Sequence, residues 1–325
     1  MRSLPGCIRY NTVLTCDVNR TASHHYLLKI TNMNKHFLVT ISNDVEHLYG
    51  VRFICSFFKE MSEHRLTLLH ICRQDSNDMG SALNDMWSKP DDKINGKLTI
   101  GARKSINRAI ELLGKSRMSI DQVITKTVAE RYGKVKDILT EGSKGLYDAI
   151  ILGRRASYTL QWVFERPADE MAQFMIKDSC CTSPLWICPE SGPGRKNVLL
   201  CIDGSENAYR AADHVGYILS EQDHHKITLF HVGTGIGAAP EEIFLRAESI
   251  LHEHGVGTER IDRNTTWGIS VPGSILSEVE KGSYAAVAVG LHGQEHGRMK
   301  DFNLVGGTTS KLINKVEKAA LWCCP

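Results

Sequence analysis

The sequence predicts an α/β fold made of two tandem, open, mostly parallel five-stranded sheets with helices on both faces. Short apolar runs closed by turn residues recur along the chain, and stretches with helical spacing of apolar residues lie between them. That alternation is typical of a parallel sheet covered by helices on both faces. Four of the strand-like segments also occur twice in the same order, which predicts two copies of one unit.

The repeat is visible by direct alignment. Lys35–Ile41 matches Lys196–Ile202, and Arg65–Ile71 matches Lys226–Val232, both at an offset of 161 positions. The later matches have shorter offsets: Tyr147–Gly153 with Tyr284–Gly290 at 137, and Pro184–Pro189 with Ala320–Pro325 at 136. The extra residues of the first copy therefore lie in one place, the polar stretch 76–101, which is predicted to be a surface loop.

The opening strand of the second copy lies within Asn197–Ser205 and illustrates the strand-then-helix pattern that recurs along the chain. Its apolar run ends abruptly in Asp203, Gly204 and Ser205, as expected for a strand buried on both faces. Apolar residues at helical spacing and helix-start signals predict the helices that follow. These helices are expected at Glu206–Leu219, Glu241–His254, Ser274–Glu280 and Lys311–Lys318, with weaker strands near Thr258–Thr266 and Ser119–Thr127.

The domain boundaries follow from the repeat. Residues 33–190 form the first copy, 191–196 a Gly/Pro linker and 197–325 the second copy. Residues 1–32 lack a sustained period and the apolar core of a secretory signal, so they are predicted to be a loose tail or an over-extended start.

Composition excludes several classes of function. Lys and Arg number 39 against 37 Asp and Glu, so no charge excess argues for a nucleic-acid or acidic-membrane partner. The ten cysteines show no CxxC pair, and free thiols in a reducing cytosol are the expected state. The vicinal pairs Cys180-Cys181 and Cys323-Cys324 leave strained redox disulfides as an alternative. No apolar run reaches the length of a membrane span.

Phosphate-binding chemistry is indicated near the end of the second copy. Gly290 and Gly293 follow a buried strand, and Gly306, Gly307 and Thr308 precede a helical pattern. Glycines allow close backbone approach, and amides at a helix start favour phosphate. Ordinary turn and cap chemistry is the competing explanation. Asp203, at the end of a neighbouring strand, favours the ligand-binding interpretation, because ligands of open α/β sheets bind at that edge.

Other signals are weaker. Gly233–Ala238 approximates a dinucleotide-binding pattern but follows the second strand of the repeat, so a loop over the site is preferred to a hydride-transfer site. His70 and His231 each end a second strand and are expected to be structural rather than metal ligands or catalytic groups. No nucleophile has an identifiable base, so catalysis is not supported and no metal site of protein side chains is predicted.

The chain resembles a tandem universal stress protein, of an adenine nucleotide alpha hydrolase-like fold, and the resemblance is strong in the second copy. The resemblance rests on Val198–Ala208, the Phe-His-Val ending at Val232, Val289–Gly293 and the Gly-Gly-Thr-Thr beginning at Gly306. It covers residues 35 to 325 and is fainter in the first copy. It implies ATP binding, with Asp203 near the ribose and metal-bound phosphate and Val232 meeting the adenine through its backbone. It also implies that phosphates are lined by Gly290, Gly293, Gly306 and Gly307, with Thr308 as a donor.

Two departures from the family pattern stand out. Twelve residues separate Gly293 from Gly306, where the family has nine, and Gly307 occupies a Ser/Thr position unless Gly307-Thr308 is the true pair. In the first copy Ser42 replaces the aspartate, Arg154 follows Gly153, and Asp169-Glu170 fall where the second glycine pair would be. Negative charge there opposes phosphate, so the first copy is not expected to bind ATP in this mode.

The expected assembly and function follow. Trp186 and Trp322 lie in the last strands, through which the two copies are expected to pair edge to edge as an internal pseudo-dimer, with a homodimer left open. The leading hypothesis is a cytosolic stress-response or regulatory protein that binds ATP, with Mg²⁺ as an accompanying ion. The alternatives are a structural or interaction protein with two degenerate sites, and a slow ATP hydrolase or nucleotidyl-transfer enzyme.

Overall fold

The protein is described by a computed structural model. The described residues are 34–72, 98–154, 183–190, 192, 194–233, 239–291 and 307–325, and residues 34–325 form one compact unit. The predicted tail 1–32 and most of the predicted loop 76–101 lie outside the described residues. No helix in the described part of the chain is long and apolar enough to cross a bilayer.

The first copy consists of five strands and three described helices. In chain order they are β1 (His36–Thr40), α1 (Tyr49–Phe57), β2 (Arg65–Cys72), α2 (Ile100–Lys115), β3 (Val123–Ala129), α3 (Lys134–Lys144), β4 (Ala149–Gly153) and β5 (Leu185–Cys188).

The second copy repeats this order and adds a described helix before its last strand. Its elements are β6 (Asn197–Cys201), α4 (Glu206–Leu219), β7 (Ile227–Gly233), α5 (Pro240–Glu253), β8 (Ile261–Trp267), α6 (Val271–Lys281), β9 (Tyr284–Gly290), α7 (Gly307–Lys315) and β10 (Ala320–Cys324). The two weaker strands begin three to four residues later than predicted. Short 3-10 turns, Ile120–Gln122 and Thr258–Arg260, occupy the positions just before them.

The described strands form one ten-stranded sheet in the order β3-β2-β1-β4-β5-β10-β9-β6-β7-β8. Each copy contributes five strands, parallel throughout, and the copies meet where β5 pairs antiparallel with β10. The two predicted sheets are therefore continuous. The expected pairing through the last strands is confirmed, and it covers two sheet edges that would otherwise be open.

The two sides of the sheet carry separate apolar cores. One core contains the inward faces of α1, α2, α4 and α5, and the other those of α3, α6 and α7. Trp186 of β5 and Trp322 of β10 are both fully buried in the first of these cores. Their rings stack with centroids 4.1 Å apart and planes 5° apart, directly across the pairing of the two strands. The junction is thus a packed core rather than a surface contact.

Candidate functional site

The candidate site lies at the carboxyl edge of the second-copy sheet. β6 lies between β9 and β7, so the chain leaves β6 toward one side and later returns on the other. This is the switch point of an open α/β sheet, where a crevice forms outside the strand ends. Asp203, Val232 and Gly290 follow or end the three strands that border this crevice.

A tight turn holds Asp203 at the end of β6. Its Oδ1 accepts a hydrogen bond from the Ser205 amide at 2.9 Å, and Gly204 between them has φ of 84°. That left-handed conformation suits glycine. The Ser205 hydroxyl accepts from the Ala208 amide at 3.2 Å and so caps α4. The Asp203 side chain remains exposed at the crevice, while Ser205 is used by the helix.

Gly290 brings β9 against the first turn of α4. A Cβ placed on Gly290 would lie 2.7 Å from the Asn207 carbonyl carbon and 2.8 Å from the Ala208 nitrogen. Only a residue without a side chain permits this contact with backbone. The close approach therefore places the end of β9 beside the start of α4, within the same crevice.

A second helix start is tied to the same point. The Thr309 hydroxyl donates to the Gly290 carbonyl oxygen at 3.1 Å, and Thr309 is buried. The bond fixes the first turn of α7, where Gly307 is exposed and Thr308 half-buried. That turn has no acidic residue. Its free amides and the helix dipole give a surface that favours anions.

Val232 supplies backbone groups to the crevice. The Phe230 carbonyl oxygen accepts from the Ile202 amide at 2.9 Å, and the pairing of β6 with β7 ends at Phe230. Backbone groups alternate in direction along a strand, so the Val232 amide and carbonyl face the side vacated by β6. Val232 therefore presents backbone groups to the crevice.

Five of the seven predicted site residues are thus described, and all five lie at this edge. They are Asp203, Val232, Gly290, Gly307 and Thr308. Gly293 and Gly306 lie outside the described residues, as does most of the Gly233–Ala238 motif. Sequence reasoning missed the roles of Ser205 and Thr309. The Ser-x-x-Ala spacing before a helical run was a signal for the cap, whereas the Thr309 contact depends on long-range packing.

Solved structures share this architecture. A universal stress protein from Archaeoglobus fulgidus DSM 4304 matches with a TM-score of 0.61 and 14% identity, over 89% of this chain and 97% of that chain. The chain has the universal stress protein fold. No protein-family model matches the sequence, and the comparison with curated proteins gives no match.

Shorter universal stress proteins match about two fifths of the chain. One, solved in complex with cAMP, has a TM-score of 0.33 and 17% identity, over 40% of this chain and 95% of that one. Another, from Arabidopsis thaliana with AMP bound, has a TM-score of 0.27 and 17% identity, over 39% of this chain and 90% of that one. The match to the Archaeoglobus fulgidus protein confirms, at the level of the fold, the resemblance predicted from the sequence.

The first copy keeps the turn of this fold but not its charge. Ser42 occupies the position of Asp203, and its hydroxyl accepts from the Asp44 amide at 3.2 Å, as Asp203 does from Ser205. Gly153 matches Gly290, but its nearest contact for a Cβ is 3.4 Å away, at the Gly50 nitrogen. The approach of strand to helix is therefore looser in the first copy.

Arg154 directly follows Gly153 in the first copy and contacts the second copy. Its guanidinium donates to the carbonyl oxygens of Ile313, Asn314 and Val316, at the carboxyl end of α7 in the second copy. A cation there is favoured by the helix dipole. Arg154 thus joins the two copies. Asp169 and Glu170, predicted to repel phosphate, lie outside the described residues.

Among the described residues near the crevice, no titratable groups form a nucleophile with a base. Burial raises the pKa of the Cys201 thiol, and the Asp203 and Glu278 carboxylates raise it further, so the thiol is neutral. His231 Nδ1 lies 2.8 Å from the Ile202 carbonyl oxygen, and His70 Nδ1 lies 2.8 Å from the Ile41 carbonyl oxygen. A carbonyl oxygen only accepts, so Nδ1 is the donor in both copies. These histidines are structural.

Proposed function

We propose that this chain is a tandem universal stress protein whose second copy binds an adenine nucleotide, ATP with Mg²⁺, and which acts as a cytosolic stress-response or regulatory binding protein. Nucleotide binding would alter its conformation or its affinity for a partner. The fold supports the family, and the geometry of the crevice supports the ligand.

One observation carries the nucleotide proposal. Gly290 contacts the first turn of α4 and accepts a hydrogen bond from the first turn of α7, so two helix starts converge beside Asp203. Amides at helix starts bind phosphate oxygens well. The exposed start of α7, with Gly307 and Thr308, is free of acidic residues. Gly293 and Gly306 are proposed to complete the phosphate contacts.

The exposed carboxylate of Asp203 argues for a metal ion or a ribose rather than a bare phosphate as its neighbour. A carboxylate repels phosphate directly. Mg²⁺ is commonly bound through one or two carboxylates together with substrate phosphates, and ribose hydroxyls donate to carboxylates. Val232 offers backbone groups on the same side for the hydrogen-bonding edge of adenine.

The first copy lacks this combination. Ser42 reproduces the turn without the negative charge, and Arg154 is engaged at the carboxyl end of α7. We propose that the first copy is the structural partner of the second.

The four buried cysteines of the described part are free thiols, which is consistent with a reducing compartment.

The test begins with nucleotide released from freshly purified protein by denaturation and identified by mass spectrometry. Calorimetry then measures ATP binding with and without Mg²⁺ for the wild type, Asp203→Ala and the matched control Ser42→Ala. We expect binding in the wild type and in Ser42→Ala, and a loss in Asp203→Ala that is larger with Mg²⁺ than without it.

Two outcomes would replace the proposal. Absence of copurified nucleotide together with absence of calorimetric binding at millimolar ATP would favour a structural or interaction protein. Release of ADP or AMP above background, dependent on magnesium and abolished in Asp203→Ala, would favour a slow hydrolase.

A further inference from the structure

A groove of about 450 Å³ lies in the second copy, between the edge strand β8 and helix α6. Phe230 is among its lining residues, and Thr266, Ser274 and Ser277 supply hydroxyl groups. Glu278 is the acidic group among its lining residues. Asp203, Val232 and Gly290 do not line the groove, so it is distinct from the crevice at the switch point.

In the first copy, an ion pair occupies the position equivalent to this groove. Strand register makes Lys126 the counterpart of Asn264, because Lys126 pairs with Leu69 and Asn264 with Phe230. In the first copy the Lys126 ammonium crosses from strand to helix and lies 2.6 Å from Glu141 Oε1. The ion pair buries Glu141 almost completely, with 8% of its side chain exposed.

Glu278 is the counterpart of Glu141. Each carboxylate accepts a hydrogen bond from the tyrosine six residues later: Tyr284 to Glu278 at 2.9 Å, and Tyr147 to Glu141 at 3.4 Å. The strand residue that would meet Glu278 is Asn264, which is uncharged. Within the described part of the chain, Glu278 forms no ion pair. The second copy thus retains the carboxylate and its tyrosine, but the strand position that faces them carries no ammonium.

From this comparison we propose that the groove between β8 and α6 binds a small primary ammonium compound, whose charged group takes the place that the Lys126 ammonium has in the first copy. The Glu278 carboxylate accepts one N–H bond and balances the charge. The hydroxyl groups of Thr266, Ser274 and Ser277 are acceptors for the other N–H groups, since an ammonium has three donors. The aliphatic part of the ligand contacts Phe230.

Lys281 limits the ligand to one positive charge. It lines the same groove one helical turn after Glu278. A second ammonium would be repelled by Lys281, so monoamines and amines with hydroxyl or carboxylate groups are favoured over diamines. Residues three apart on a helix are neighbours, so Glu278 and Lys281 offer charges of both signs within one small ligand's reach.

The probe is n-butylammonium, which has the composition of a lysine side chain. Its binding to the full chain is measured by calorimetry and by NMR shifts at constant ionic strength, for the wild type, Glu278→Gln and Asn264→Lys. Gln retains an acceptor for Tyr284 but removes the charge. The Asn264→Lys substitution is designed to recreate the first-copy ion pair, so that the new lysine side chain occupies the groove.

We expect saturable binding by the wild type, about tenfold or more weaker binding by Glu278→Gln, and none by Asn264→Lys, whose melting temperature rises. Glu141→Gln and Asp203→Asn are matched controls in the first copy and at the nucleotide crevice, and both are expected to bind like the wild type. Tetramethylammonium, which has no N–H donor, and n-butanol, which has no charge, are expected not to compete.

Equal affinity in the wild type and Glu278→Gln would overturn the proposal, as would binding that Asp203→Asn removes or that n-butanol reproduces. Because Asp203 is not part of the groove, these results are independent of whether ATP binds.

Discussion

Trp186 and Trp322 stack face to face across the junction of the two copies, but their indole N–H groups have different surroundings. Trp186 Nε1 donates to His214 Nε2 on α4 at 3.0 Å, so a strand of the first copy is hydrogen-bonded to a helix of the second. Among the described residues Trp322 Nε1 has no acceptor. At the repeat offset of 161, the counterpart of His214 is Phe53, whose ring packs edge-on to Trp322. The internal symmetry of the fold is broken at its centre.

The His214 acceptor is expected to stabilise the junction. His214→Phe copies the first-copy residue and leaves the buried Trp186 N–H without an acceptor, which costs about 1–3 kcal/mol. Urea unfolding at pH 7.5 measures the loss. The control is His252→Phe, an exposed position on α5, where a change within about 0.5 kcal/mol is expected. Equal losses in the two variants would contradict a specific role for His214.

Acid is expected to destabilise the fold through three buried imidazoles. Burial lowers the pKa of His214 to about 3 and those of His64 and His225 to about 4, from 6.5. As pH falls below 6.5 the unfolded chain binds protons at these sites while the folded chain does not, so stability falls with pH until about 4. At pH 5 each group costs about 2 kcal/mol, or about 6 kcal/mol for the three.

Urea unfolding at intervals from pH 7.5 to pH 5 tests this dependence. His64 lies between Phe37 and Phe58, and in the described part of the chain neither of its ring nitrogens has a partner. His64→Phe therefore suits its surroundings and is expected to remove about one third of the acid-induced loss. A stability that stays constant between pH 6.5 and pH 5 would show that these imidazoles are not kept neutral by the fold.

The repeat made most of the fold predictable from the sequence. Segments at equal offsets make equivalent contacts, as His70 and His231 show. In each copy the histidine Nδ1 lies 2.8 Å from the carbonyl oxygen of the residue directly after the first strand. The position of Asp203 and Gly290 at one edge was predictable because strand ends in a parallel sheet meet there. Both predictions rest on local pattern and strand order alone.

Contacts that cross between the copies were not predictable in this way. The bond from Trp186 to His214 and the contacts of Arg154 with α7 depend on how two sheets dock, which no spacing in the sequence encodes. Thr309 likewise contacts Gly290 only after α7 has packed on the sheet. The groove had a signal in the sequence that was missed. When the copies are aligned, Lys126 corresponds to Asn264, whereas Glu141 and Glu278 are glutamates at corresponding positions.

Gly290 is expected to be intolerant of any side chain. In Gly290→Ala the new Cβ would lie 2.7 Å from backbone of α4, which must then move away from β9. We expect a loss of about 2 kcal/mol or more, since overpacking against backbone typically costs 1–3 kcal/mol, together with weaker nucleotide binding.

The matched control for this change is Gly153→Ala in the first copy. Its Cβ would meet its nearest neighbour at 3.4 Å, an ordinary contact distance. A loss of less than about 1 kcal/mol is expected there, with nucleotide binding unchanged. Comparable losses at the two positions would show that the contact between β9 and α4 is not tighter than its first-copy equivalent.

Arg154 is expected to couple the copies through the end of α7. Arg154→Ala removes charged donors from the carbonyl oxygens of Ile313, Asn314 and Val316. Hydrogen bonds to charged groups contribute about 1.5–3 kcal/mol, and part exposure of this site places the expected loss near the lower value. Arg154→Lys keeps a charge near the helix end but loses the planar fork, so an intermediate loss is expected.

Hydrogen exchange separates this coupling from a general loss of stability. Amides of α7 are expected to exchange faster in Arg154→Ala although the substitution lies in the other copy, because the helix end loses its cation. Arg210→Ala on α4 is the control, since Arg210 is exposed and contacts Asn207 of the same helix at 3.4 Å. If both variants leave α7 exchange unchanged, Arg154 does not hold the helix. If only Arg154→Ala accelerates it, a first-copy residue sets the order of the helix whose start faces the nucleotide crevice.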